Sequence, residues 1–195
     1  MRTPEPVVLT GGGVTLEPLA LAHVPDLLVA GADADVWRWL PAAPPRSLVE
    51  MTSLVEQAVA DPARLAWAVV VDGRAVGSTS YLDVDPELGG LEVGWTWYSP
   101  AHWRTSVNPA CKHLLLGHAF DDLGAGRVLL KTDALNARSR SAIGRLGAQY
   151  DGTLRHHRLR PDGTVRDTAY FSLLAAEWPQ IRAGLDERLG PQKTR

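Results

Sequence analysis

Apolar positions recur along this chain with two different periods, and the switches between them divide it into elements. Residues 7–9 and 14–17 (VVL, VTLE) predict short strands around the turn GGG. LALAHVPDLLVAGA (19–32) has helical spacing with an early Pro25, and DADVWRWLPAAPP (33–45) reads as a loop carrying Trp37 and Trp39. SLVEMTSLVEQAVA (47–60) predicts a helix with Ser47 as its N-cap and Glu50 three residues on, a capping box. AWAVVV and RAVGSTSYLDV, joined by Asp72-Gly73, form a hairpin pattern. GGLEVGWTWY (89–98) is a further strand, stopped by Ser99-Pro100. A helix is expected from Asn108 to DDLGAG, whose glycines suit a C-terminal cap, then a strand over 127–134 and a helix over 136–148. Two strands flank the turn PDG at 161–163, and EWPQIRAGLDERL closes the pattern as a helix. The last residues, 190–195, are expected to be a disordered tail.

The strand–helix–strand passage from 89–98 to 127–134 implies parallel pairing between those two strands, while the remaining connections imply antiparallel ones. The expected fold class is therefore α/β (α+β), with a mixed, mostly antiparallel sheet flanked by helices. At 195 residues, without repeats or a long linker, the chain is expected to be one domain over 1–195.

Composition narrows the partners. A net charge of −2 gives no basic surplus for nucleic acid. The longest apolar runs are too short to cross a bilayer, and MRTPEPVVLTGGG lacks the apolar core of a signal peptide. A cytoplasmic protein with no membrane and no nucleic-acid partner is expected. The lone Cys111 excludes an internal disulfide, and its place beside Leu114, Leu115 and His118 on the apolar face suits a buried core thiol. No metal site is expected, because adjacent His156 and His157 in a strand point to opposite faces. GGG at 11–13 lacks the lysine and spacing of a phosphate loop.

One stretch carries candidate chemistry: SPAHWRTSVNPACKHLLLGHAF, residues 99–120. Asn108 is a preferred N-cap and Pro109 suits the first helical position. Free first-turn N–H groups and the macrodipole attract phosphate, and Lys112 can lean towards the same place. Arg104, Thr105 and Ser106 add a charge and hydroxyl donors. The alternative is an ordinary capped helix with a solvated arginine and lysine.

In its setting, this stretch resembles the coenzyme-A loop of the GNAT N-acetyltransferase superfamily, and more closely its RimJ/RimL-type branch. LEVGWTWYSPAHW is similar to that branch's fourth strand and the approach to its loop. LLLGHAFDDLGAGRVLLKTDALNARSRSAIGRLGA is similar to the rest of that helix, the fifth strand and a helix opened by N-x-x-S. DGTLRHHRLRPDGTVRDTAYFSLLAAEWP resembles the closing hairpin, so the likeness runs from about residue 13 to 187. The family's loop usually carries glycines, Q/R-x-x-G-x-G/A. Here Trp103 opens the motif, and Ser106 and Asn108 take the small-residue positions. The cradle then relies on hydroxyls, the cap amide, Arg104 and Lys112, as in the R-T-x-x-N-x-x-x-K variant of the family.

The resemblance implies an acetyl-CoA-dependent N-acetyltransferase in which the fourth and fifth strands splay and the pantetheine arm lies between them as an extra strand. It assigns Val93, Trp95, Trp103, Arg104, Thr105, Ser106, Val107, Asn108, Lys112 and Asn136 to the coenzyme (acetyl-CoA). Asn136 is alternatively a plain N-cap, and Ser139 a surface residue.

Glu92, a carboxylate in an apolar strand, is the candidate base, and the alternative is a glutamate paired with an arginine or facing solvent. The family's frequent helix tyrosine falls here on Ile143. RimJ/RimL-type proteins instead place a serine early in that helix, so the resemblance makes Ser139 the candidate acid for the thiolate, with Tyr98 as the other. Trp37, Trp39, Trp97 and His156, with Trp95 and His157, are candidates for lining the acceptor cleft. The implied acceptor is a small-molecule amine or a peptide or protein N-terminus, and a homodimer is compatible. Use of succinyl-CoA or another acyl-CoA, or a catalytically inactive coenzyme-binding module, are the other readings.

Overall fold

In β3 (Arg64–Val71), side chains alternate between the two faces of a sheet and are buried on both. Trp67 and Val69 join one core with Tyr81, Leu115, Leu130, Leu173 and Leu185. Ala66, Ala68 and Val70 join a second with Leu27, Met51, Val55 and Trp97. This is why the strand reads as a continuous apolar run: it is covered on each side by helices.

The computed structural model describes residues 1–190. It contains one eight-stranded sheet, ordered β1-β2-β3-β4-β5-β6-β8-β7. The other strands are β1 (Leu9–Gly11), β2 (Val14–Pro18), β4 (Arg74–Asp85), β5 (Gly90–Tyr98), β6 (Arg127–Asp133), β7 (Gln149–Leu159) and β8 (Val165–Leu174). The first core lies beneath α3 (Val107–Gly117) and α5 (Trp178–Leu189), and the second beneath α1 (Val24–Ala30) and α2 (Leu48–Ala60). A short α4 (Ala137–Gly144) follows β6. The sheet is mixed and mostly antiparallel, as the connections imply, and β5–β6 is its parallel pair.

Local signals explain most element ends. Asp72 and Gly73 both take positive φ, 49° and 77°, in a two-residue turn between β3 and β4. Ser47 caps α2 by accepting from the Glu50 N–H, but the Glu50 carboxylate reaches back to the Arg46 N–H, one residue earlier than a capping box predicts. The predicted helix 19–32 begins as a 3-10 turn at Leu21–His23, and that over 136–148 stops at Gly144. α3 starts at Val107, ahead of the expected Asn108 cap. Pro109 fits inside its first turn because no N–H there needs an intrahelical partner. α3 continues as a π turn over His118–Asp122, before Gly124 at φ 71°. The expected tail lies, beyond Gly190, outside the described residues. Among the described residues no helix is long and apolar enough to cross a membrane.

Two irregularities shape the centre of the sheet. β5 and β6 pair through only three rungs, Gly90↔Arg127, Leu91↔Val128 and Glu92↔Leu129, and then part. Against β4, β5 bulges: Ser78 faces Trp97 and Ser80 faces Gly94, so Trp95 and Thr96 share one opposing residue, Thr79. Trp95 sits at φ 49°, a conformation that costs a bulky residue roughly 1–3 kcal/mol. Arg64 holds it in place, stacking its guanidinium 4.5 Å from the Trp95 ring and donating to Ser80 Oγ at 2.9 Å. Gly77 lets the strands close in, since a Cβ there would meet the Trp97 carbonyl oxygen at 2.1 Å.

Candidate active site

Where β5 and β6 part, a cleft of about 1080 Å³ opens. Its walls are the free edge of β5 from Val93 to Tyr98, residues Leu130 to Thr132 of β6, and the starts of α3 and α4. Past Glu92 the backbone of β5 has lost its partner strand, so its amides and carbonyls on that side are available to an extended ligand.

At the apex, Glu92 is the last residue of β5 paired with β6. It is 8% exposed, and its Oε2 lies 2.7 Å from Lys131 Nζ. Lys131 also reaches Asp83 Oδ2 at 2.8 Å. Burial outweighs the lysine and holds the Glu92 carboxyl above its ordinary range, while hydrogen bonding to Lys131 pulls Asp83 below it. Glu92 is thus a desolvated carboxylate at the fork of the strands, paired with a lysine where an arginine was the alternative expectation.

At the other end stands the loop before α3. Arg104 takes φ 62°, the left-handed conformation in which a glycine would rest, so the turn persists without its glycine. Thr105 Oγ1 donates to the His102 carbonyl and accepts from the Val107 N–H, which makes it the side chain that caps the helix start. Asn108 is not the N-cap; its Oδ1 accepts from the Tyr98 hydroxyl at 3.2 Å, tying the loop to β5. Trp103 donates its indole N–H to the Tyr98 carbonyl, and Arg138 from α4 lies 3.8 Å above the Trp103 ring. That stack bridges the two helix starts that flank the cleft.

Lys112 does not project into solvent as an ordinary capped helix would have it. It is 5% exposed, and its ammonium makes one long contact, 3.4 Å, to Thr96 Oγ1, which is itself 2.8 Å from Thr79 Oγ1. Burial lowers its pKa to about 8. A buried cation with one weak partner, set in the cleft wall, is short of acceptors.

The remaining candidates divide. Asn136 lies in the wall and accepts from the Ser139 N–H, so it is an N-cap facing the cleft, and Ser139 stands beside it. Tyr98 is buried, its hydroxyl is committed to Asn108, and burial raises its pKa well above the ordinary value. Trp39, Trp95 and Trp97 reach the wall. Trp37 does not: it is 3% exposed, donates to the Gly31 carbonyl at 2.7 Å, and packs on Trp97 with ring centres 5.0 Å apart. It is a core residue, not an acceptor contact. His156 is also displaced, because residues 155–157 bulge opposite Asp167 and turn it outward at φ 56°. Ser106 is exposed and Val107 is buried in the core, and neither belongs to the wall. His157 packs on Tyr170. Cys111 is wholly buried, its thiol pushed up to about 12 by burial, as suits a structural residue.

Sequence reasoning missed Lys131, Asp83, Arg138, Arg158 and Arg166, all in the wall. Lys131 was within reach: it is a charge in the apolar strand VLLKTDA, the same signal that singles out Glu92. Among the described residues no group of three or more His, Cys, Asp or Glu could hold a metal ion.

Comparison with known proteins agrees with this architecture. The Acetyltransferase (GNAT) domain family matches residues 14–149. A solved structure of a "putative acetyltransferase" from T. thermophilus is 38% identical, covering 97% of this chain and 100% of that one, with a TM-score of 0.90. Mycobacterium smegmatis RimJ, solved in complex with CoA-disulfide, superposes with a TM-score of 0.83 over 100% of both chains at 18% identity, a likeness of fold. The Bacillus subtilis (strain 168) protein named "Putative ribosomal N-acetyltransferase YdaF" is 28% identical over 110 residues, 56% of this chain; the match spans 59% of that relative's length. A splayed parallel pair, a helix start facing the gap and a family match over most of the chain lead to one conclusion: the chain belongs to the GNAT acetyltransferase family.

Proposed function

We propose that this protein is an acetyl-CoA-dependent N-acetyltransferase acting on primary amines by direct transfer. The observation that carries the reading is the parting of β5 and β6 immediately after Glu92, which sets a desolvated carboxylate at the head of a strand-shaped gap. The residues present fit the coenzyme. The free β5 edge from Val93 to Trp95 suits the amides of the pantetheine arm, and Lys112 is a buried cation with a single long hydrogen bond, to Thr96. The α3 start with Thr105 and Arg104 suits the diphosphate. Asn136 holds the opposite wall, and Trp103 with Arg138 covers the span between.

Bound acetyl-CoA supplies an acyl carbon already activated towards amines, so no acyl-enzyme is needed. The chain's own groups orient the amine and manage its proton. Glu92 accepts that proton, directly or through water, and its raised pKa suits a base working near neutrality. Backbone N–H groups on the free β5 edge are the donors for the thioester oxygen, a reading that the bulge at Trp95 supports. Ser139, beside the Asn136 cap, is the donor for the departing sulfur. Tyr98 is instead a positioning residue that secures Asn108. Trp39 and Trp97 give the cleft an aromatic side, which suits an amine on a small molecule or at a peptide N-terminus; the relative YdaF is itself named a putative ribosomal N-acetyltransferase.

Calorimetric titration with acetyl-CoA followed by thiol release on adding amines tests the reading. Binding with amine-dependent release is expected. Binding without release across a broad panel of amines and peptides would leave only a coenzyme-binding module.

A further inference from the structure

The hairpin β7–β8 sets two arginines against each other. Arg158 and Arg166 are direct cross-strand partners, and both line the cleft. Like charges placed opposite one another across a sheet repel. Neither arginine forms an ion pair among the described residues, because the nearby carboxylates are already engaged. Asp133, 1% exposed, is held by Arg160 at 2.7 and 3.3 Å. Asp83 and Glu92 both hold Lys131. Arg166 is half-buried, and its Nε is closed off from solvent with no hydrogen-bond partner. The hairpin register puts Arg166 two residues past the Asp133–Thr168 rung, so the pair lines the cleft beyond the end of β6, where Asp133 and then Glu92 are the carboxylates whose charge acts on Arg166.

Around the pair, Lys131, Arg158, Arg160 and Arg166 stand against Asp83, Glu92 and Asp133, leaving a surplus of one positive charge. A guanidinium nitrogen buried without an acceptor is costly, and the planar fork to which it belongs matches a carboxylate. We propose that the acceptor carries its own carboxylate, seated on Arg166 and Arg158 while its amine lies at Glu92. A singly charged carboxylate balances the surplus, whereas a doubly charged group would exceed it beside Asp83 and Glu92. The inference rests on the N-acetyltransferase reading and names its substrate class: anionic amines, whether free amino acids or peptides with an acidic residue near the N-terminus.

The test uses the full chain with saturating acetyl-CoA and two matched sets of acceptors. Free amino acids are compared with their α-amides, and the peptide amides Ser-Glu-Ala and Ser-Gln-Ala with each other. In at least one set the extra carboxylate raises kcat/KM about tenfold or more, chiefly through KM, and the responding set identifies the source of the carboxylate. Arg166→Gln and Arg158→Gln each collapse that preference towards unity, Arg166→Lys keeps part of it, and Arg155→Gln, exposed on the same hairpin, leaves it intact. Turnover with kcat/KM within twofold across both sets, or a preference that survives Arg166→Gln, overturns the inference and leaves the acetyltransferase reading standing. Binding of the N-acetylated acceptors in the presence of coenzyme A is measured in parallel. Carboxylate-selective binding that Arg166→Gln abolishes supports the inference even where turnover is absent, a result that would count against the acetyltransferase reading alone. Equal binding of both members of each set overturns the inference.

Discussion

Replacing Lys112 by methionine should make the protein more stable and a poorer coenzyme binder at once. The ammonium is 5% exposed with a single 3.4 Å contact, and burial takes its pKa from 10.5 to about 8. At 1.36 kcal/mol per factor of ten, holding that charge in the folded chain costs about 3 kcal/mol below pH 8. Methionine keeps the length of the side chain without the charge, and Thr96 retains its bond to Thr79. For a chain of this size the gain corresponds to a rise in Tm on the order of 10 °C at neutral pH. The cost should disappear with alkali. Between pH 8 and 10.5 the unfolded lysine keeps a proton that the folded one has shed, so wild-type stability rises with pH across that window. The variant lacks this term, and its advantage therefore shrinks towards zero near pH 10. Urea unfolding of both proteins at several pH values measures this directly, and titration with acetyl-CoA should show affinity at least tenfold weaker in the variant. Equal stability at pH 7, or an advantage that ignores pH, would refute the idea that Lys112 is a stored, uncompensated charge.

Glu92→Gln should lower kcat by roughly 10²-fold or more while coenzyme affinity, read by calorimetry, stays near that of wild type. Wild-type kcat/KM should fall as acid protonates Glu92, at a pH above the ordinary carboxylate range because burial raises its pKa, and the Gln variant should lose that limb. Lys131→Met removes the partner that pulls the Glu92 pKa down, so the same acid limb should move to higher pH; an unmoved limb would show that Glu92 is not the titrating base. Trp37→Ala should cost about 3–5 kcal/mol in urea unfolding, as expected of a core aromatic, whereas an acceptor contact would change KM without that loss. Gly77→Ala should destabilise by roughly 1–3 kcal/mol, because its Cβ would press on the Trp97 carbonyl oxygen.

The elements were legible because their signals are local. Alternation in LAWAVVV, the Asp72-Gly73 turn and the Ser47 cap each act within a few residues, and the crossover to RVLLKTDA dictates one parallel pair. Glu92 stood out by the same logic, as a charge among apolar neighbours. What stayed hidden is set by distance. Nothing near Trp37 says that its ring meets Trp97, sixty residues on, and so belongs to the core. Asn108 reads as a cap in isolation, yet Tyr98 claims its carboxamide and Thr105 performs the capping. His156 was misplaced because a three-residue bulge broke the alternation on which its facing depended. Arg158 and Arg166 look like surface charges until the hairpin register puts them opposite each other.

The three-rung seam between β5 and β6 makes the sheet two leaves, of five strands and of three, hinged along a short spine. Glu92, Thr96, Trp103 and Lys112 belong to the larger leaf or its helix, while Lys131, Arg158 and Arg166 belong to the smaller one. If the proposed carboxylate seat holds, substitutions in the β7–β8 hairpin should redirect the choice of acceptor while leaving the β5 edge and the α3 start proposed for the coenzyme in place. The amine and the coenzyme are each met from both leaves, since Glu92 and Trp97 lie on β5 and Asn136 follows β6, so the angle between the leaves sets how the two ligands meet.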